Sequence, residues 1–248
     1  MTDAGAAFIG YWARLRVGPV TIPYAATLHK PVGQATAEQT RLLPTEAPAV
    51  KNGDLRWDCR RLGVRVAWNA RARAIHRTLL ECAHGSIIWH CHVPAGRARV
   101  DFRDAAPLEG LGYAEHLTMS LKPWELPFHE VRWGRFLSHA DALIWIEWRG
   151  ADSRHWVFHN GVEIPDAVID PEGVQLPFDH GWLQLSGDAP VRDGPLLSTA
   201  LRAFPAKRLW LSGRLEGAHE TKWVARGRFT AGGRHSTGWA IHEVVRLR

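Results

Sequence analysis

The 248-residue chain is poor in several things. It has three cysteines, Cys59, Cys82 and Cys91, and no Cys-x-x-Cys pair. So low and odd a count excludes a disulfide framework and leaves at least one thiol free; a reducing compartment, the cytoplasm, is expected. No apolar run approaches the roughly 18 residues of a membrane-spanning helix. The opening MTDAGAAFIGYW lacks a basic segment followed by an apolar core, so no secretory signal is expected. A phosphate loop, a dinucleotide fingerprint, Gly-x-Ser-x-Gly and His-Glu-x-x-His are all missing. Their absence weighs against nucleotide-dependent and triad-hydrolase chemistry. Net charge is +6, with 31 basic against 25 acidic residues. The basic residues are scattered, no run of five or six occurs, and no nucleic-acid partner is expected.

What is present is tryptophan and alternation. Thirteen Trp stand beside only three Tyr, in a chain with the hydrophobic and charged content of a soluble globular protein. LRWDC puts Leu55, Trp57 and Cys59 opposite Arg56 and Asp58. VRVAW groups Val64, Val66 and Trp68. SIIWHCHV groups Ile87, Trp89, Cys91 and Val93, and RARVDFR groups Ala98, Val100 and Phe102. Each is a period-two strand with one apolar face. Turns are expected at His84-Gly85, at Asn160-Gly161, in DPEG (170–173) and in TAGG (230–233). TAEQTRLL (36–43) and GPLLSTALRAF (194–204) are the helical candidates. Many strands with regular turns define an all-β chain, a barrel or a sandwich. LKPWELPFHE, with Pro123 and Pro127, interrupts the pattern. It is read as a linker between two β halves, 1–126 and 127–248, or as a loop or plug within one larger barrel.

One strand carries an oddity. In GYAEHLTMSL, Tyr113, Glu115, Leu117, Met119 and Leu121 share a face. A carboxylate on an apolar face loses water, which favours its neutral acid form and suits it to donate a proton. The opposing expectation is a rim position where water reaches it. His116 points to the opposite face of a regular strand. His90 and His92 share a face, as metal ligands do, but fourteen histidines make such a pair expected by chance, and no metal site is assigned. Trp57, Trp89, Trp133, Trp145, Trp148 and Trp239 lie in strand-like segments. Core packing is the bland reading. An aromatic cavity wall, able to bind apolar ligands and stabilise a carbocation, is the functional one.

IIWHCHVPAGRARVDF, then LEGLGYAEH, then RWGRF (132–136) follow one another in an order that resembles the carotenoid 1,2-hydratases. Hydroxyneurosporene synthase, kievitone hydratase, tocopherol cyclase-like proteins and lipocalin-like Diels–Alderases belong to the same wider group. The resemblance is clearest over about residues 76–150. The hydratase pattern continues with Asn-Trp-Gly where this chain has Leu117-Thr118-Met119. The resemblance implies two lipocalin-like antiparallel β-barrel halves with an apolar cavity, and an isoprenoid or polyketide substrate. It implies Glu115 as the acid, with His116 after it; Tyr113 is grouped with them, and on the cavity-wall reading Trp57, Trp89, Trp133, Trp148 and Trp239 face the substrate. Protonation of an alkene would lead to hydration, cyclisation or isomerisation, without a cofactor. A carrier of a hydrophobic small molecule and a pericyclase that only folds its substrate are the rival expectations. Transient membrane contact and the oligomeric state are left open.

Overall fold

A computed structural model describes residues 1–51, 54–178, 180–204 and 216–247. Among these, all strands pair antiparallel and fall into three sheets. The first holds β1 (Ala7–Val17), β2 (Val20–Lys30) and β3 (Ala37–Arg41), in that order. The second holds β4 (Ala49–Lys51), β5 (Asp54–Cys59), β6 (Val64–Ala70), β7 (Ile75–Cys82), β8 (Gly85–Phe102) and β9 (Leu108–Met119). Its order is β4-β5-β6-β8-β7, with β9 on the other edge of β8. The third runs from β10 (Phe128–Leu137) through β11 (Ala142–Gly150), β12 (Arg154–His159), β13 (Val162–Glu163), β14 (Val168–Asp170), β15 (Gly173–Leu176), β16 (Gly181–Pro195) and β17 (His219–Ala231) to β18 (Arg234–Arg246). Here β10 pairs with β18 in mid-sheet and joins two meanders, β10–β13 and β14–β18. One 3-10 turn, Pro123–Glu125, separates the second sheet from the third.

Alternation gives the third sheet two apolar faces. One curls on itself around Phe136, Leu143, Trp145, Val157, Leu183 and Phe229. The other covers the first two sheets. Ile144, Ile146, Trp148 and Phe158 pack on Ile87, Trp89 and Cys91. Val224 and Ile241 pack on Ile9 and Leu28. A sheet buried on both faces needs apolar residues at every position, and ALIW in β11 supplies them.

The expected all-β chain is what the structure shows, with local differences. SIIWHCHV and RARVDFR are one strand, β8, and not two. Pro94 lies within it where the register with β9 shifts, a place where a residue without an N–H does no harm. TAEQTRLL is not helical: Ala37–Arg41 extend along β2, and Glu38 meets Arg192 of the third sheet at 2.9 Å. Tertiary pairing overrides the helical preference of Ala, Glu, Gln and Arg. In GPLLSTALRAF, Gly194 and Pro195 end β16, and the rest forms successive turns in which the Pro195 carbonyl accepts from the N–H groups of Ser198 and Thr199. The Asn160-Gly161 and Gly232-Gly233 turns form as expected, all four residues at positive φ. The β7–β8 turn is Ala83-His84, one residue early.

Candidate active site

A cavity of about 390 Å³ lies where the three sheets meet. Phe8 and Trp12 of β1 face Trp57, Val66, Trp68 and Val100 of the second sheet. β9 contributes a wall from Leu108 to His116, and Arg135, Lys222 and Glu243 form a polar floor. Close backbone approach shapes the wall. A Cβ at Gly10 would stand 2.5 Å from the Trp57 ring, and one at Gly112 2.6 Å from the Ala98 methyl.

Glu115 is placed by two strands. The Trp89 indole of β8 donates to its Oε2 at 2.6 Å, and the Tyr113 hydroxyl donates to the same oxygen at 2.5 Å. Tyr113 and Glu115 are two apart on β9, so their side chains share a face. Trp89 is fully buried, which fixes its N–H. The Tyr113 phenol is pushed well up, first by burial and then by the nearby Glu115 charge, so it stays a donor. Glu115 itself is not sealed in an apolar wall as the strand pattern predicts. Beyond Ala114, β9 runs out from cover along the free edge of its sheet, and Glu115, Leu117 and Met119 are exposed. The five-residue apolar face therefore ends early, with Leu121 alone returning to the core.

His116 also borders the cavity, from the other side of β9. Its ring lies 6.4 Å from that of His92, which is 3.9 Å from His90. Burial, with the other histidines, pushes His90 and His92 down. No group of His, Cys, Asp or Glu among the described residues is placed to hold a metal ion.

The tryptophans divide. Trp57 lines the cavity. Trp89 is the donor that holds Glu115, and Trp133 meets it edge-on at 6.2 Å. The buried Trp133 Nε1 has no hydrogen-bond partner among the described residues. Trp148 is packed in the core between Phe128 and Trp156, away from the cavity. Trp239 covers Gly5 and donates to the Asp3 carbonyl at 3.1 Å, also away from the cavity.

The polar floor was missed in the sequence. Lys222 is 3% exposed, and its ammonium pairs with Glu243 and with Glu220 at 3.6 Å. Arg192 bridges Glu38 and Glu220. Burial lowers the Lys222 ammonium from 10.5 to about 8. A signal existed: counting back from the Gly232-Gly233 turn puts Lys222 directly opposite Glu243.

Curved antiparallel sheets around an apolar cavity with a few converging polar groups define a lipocalin-like fold. Solved structures agree. The fold is similar to that of CghA with Sch210972, with TM-score 0.57 and 11% identity over 99% of this chain and 85% of that one. It is similar to kievitone hydratase from Nectria haematococca, with TM-score 0.56 and 7% identity over 96% and 83%. It is also similar to a protein of Nitrosomonas europaea provisionally assigned as AttH, with TM-score 0.51 and 10% identity over 95% and 85%. No family model and no curated protein sequence matches the chain.

Proposed function

We propose that the chain is a cofactor-independent enzyme acting on a hydrophobic isoprenoid or polyketide, with Glu115 as its proton donor. The observation that supports this most is the pinning of one carboxyl oxygen, Oε2, by Trp89 and Tyr113 at the wall of an apolar cavity. Two donors fix the rotamer and leave Oε1 to carry the proton. An alkene seated against the wall takes that proton and becomes a carbocation, and the faces of Trp57 and Trp68 stabilise it. Water then adds and returns a proton to the carboxylate, giving hydration. Attack by an internal alkene gives cyclisation, and loss of a neighbouring proton gives isomerisation. His116, exposed on the same wall, serves proton exchange with solvent. Residues 1–126 and 127–248 act as two lipocalin-like halves that enclose the site between them. That one fold neighbour is a hydratase and another is held with Sch210972 supports small-molecule chemistry on this scaffold.

A panel of isoprenoid polyenes incubated in D2O tests this, because protonation of an alkene carbon leaves deuterium on it. Glu115→Gln should lower deuterium uptake or product formation by about 100-fold or more while the cavity still binds the neutral dye N-phenyl-1-naphthylamine. The exposure of Glu115 favours a second reading, in which the cavity only binds or folds its ligand. Unchanged turnover in Glu115→Gln would select that reading.

A further inference from the structure

Among the described residues, Arg135 is the one cation of the cavity floor whose charge no side chain answers. Lys222 has Glu220 and Glu243, and the adjacent Arg192 has Glu38 and Glu220. On the same strand, Arg132 lies 2.9 Å from Glu130. Arg135 is half-buried and lines the cavity, yet it makes no hydrogen bond or ion pair with any described residue. Its one specific contact is with a ring: Cζ lies 4.9 Å from the centre of Tyr113. That contact uses the flat face of the guanidinium and leaves its five edge N–H donors free. Nor does it come from local crowding. Arg135 alternates with Trp133 and Leu137 on the inward face of β10, where an apolar residue would pack without cost. A half-buried guanidinium with no protein acceptor leaves its donors to water or to a ligand in the cavity.

We propose that Arg135 receives the acidic head of an otherwise apolar ligand: two oxygens sharing one negative charge, as in a carboxylate or the enolate of a 1,3-dicarbonyl. Such a head matches the fork of a guanidinium with two parallel hydrogen bonds. The assignment rests on the cavity reading above and names the ligand class for the same site. It also fixes the ligand's direction. The head lies on Arg135, and the chain runs along Trp57, Val66 and Val100. Tyr113 then bridges head and acid, with its ring under Arg135 and its hydroxyl on Glu115.

Displacement of N-phenyl-1-naphthylamine from the intact protein tests this. The competitors are laurate, 2-lauroylcyclohexane-1,3-dione and methyl laurate. Charge-assisted hydrogen bonds should make one or both acids displace the dye at least tenfold better than the ester. Arg135→Leu should bring acids and ester to within about twofold with the ester unchanged, and Arg135→Lys should restore part of the preference. Preference for laurate alone identifies a carboxylate head, and preference for the dione alone an enolate. Equal displacement by acids and ester in the wild type, or an acid preference that survives in Arg135→Leu, overturns the proposal. Failure of the dye to bind at all, or of the ester to displace it, removes the cavity reading and this proposal with it. If Arg135→Leu does not fold, the wild-type acid-to-ester ratio and the Arg135→Lys protein decide.

Discussion

Lys222 lets the electrostatics of the floor be measured. The ammonium is buried beneath the Tyr11 ring, 5.8 Å from its centre, with Glu220, Glu243, Arg192 and Arg135 around it. Burial, then Arg135 and Arg192, push it from 10.5 to about 8, against the pull of Glu220 and Glu115. The folded protein thus holds this proton less tightly than the unfolded chain does. Below pH 8 both states are protonated and the fold bears the full cost. Between pH 8 and 10.5 the unfolded chain keeps the proton while the folded one sheds it, so stability rises with pH. From pH 7 to 9 the gain is about tenfold in the folding constant, about 1 kcal/mol. Above pH 10 the sign reverses, because burial pushes the Tyr11 and Tyr113 phenols up and the unfolded chain loses those protons first. The assay is urea unfolding followed by tryptophan fluorescence at pH 7, 8 and 9, for the wild type and Lys222→Met. The neutral variant is relieved of the cost of burying the ammonium, so at pH 7 it should be no less stable than the wild type. Towards pH 9 the wild type should gain on the variant by about 1 kcal/mol, since only the wild type gains from losing the proton. Groups common to both proteins cancel in the difference. Parallel pH dependence in the two proteins would refute the reasoning.

Two further expectations concern the frame around the cavity. Gly10→Val drives a side chain into the Trp57 ring, 2.5 Å from where its Cβ would stand, so dye affinity should fall at least tenfold by fluorescence titration. Unchanged affinity would mean that β1 does not shape the wall. Asn160→Ala leaves a non-glycine residue at φ 50 and removes the Oδ1 that accepts from the Ala142 N–H at 2.8 Å. The loss should be about 1–2 kcal/mol, read from the thermal midpoint, and Asn160→Gly should recover part of it.

Strands and turns were legible because period-two alternation and two-residue glycine turns are local signals. The β17–β18 register followed from Gly232-Gly233 alone. TAEQTRLL misled because its helix-favouring residues say nothing about the open edge of β2 awaiting a partner. The tryptophans were harder. Trp57 and Trp148 both sit on apolar strand faces, and only the gap between sheets decides which lines a cavity and which fills a core. Glu115 stood out as a charge in an apolar row. Arg135, between Trp133 and Leu137, is the same oddity with the opposite sign and was readable by the same rule. What no pattern could give is that Tyr113 touches both, since that contact joins β9 to β10 across two sheets.

The seam between β10 and β18 also sets when the protein can first work. Arg135 leaves the ribosome more than a hundred residues before Glu243, its neighbour one row away across the seam. At about 5–20 residues per second, the earlier strands wait roughly 5–20 s for that partner. Until then the first sheet exists without the surface that covers it, and Ile9 and Leu28 face water or a chaperone. Such distant pairings slow folding. A chain stopped short of β18 could present Glu115 on its strand, but neither a finished floor nor a closed cavity.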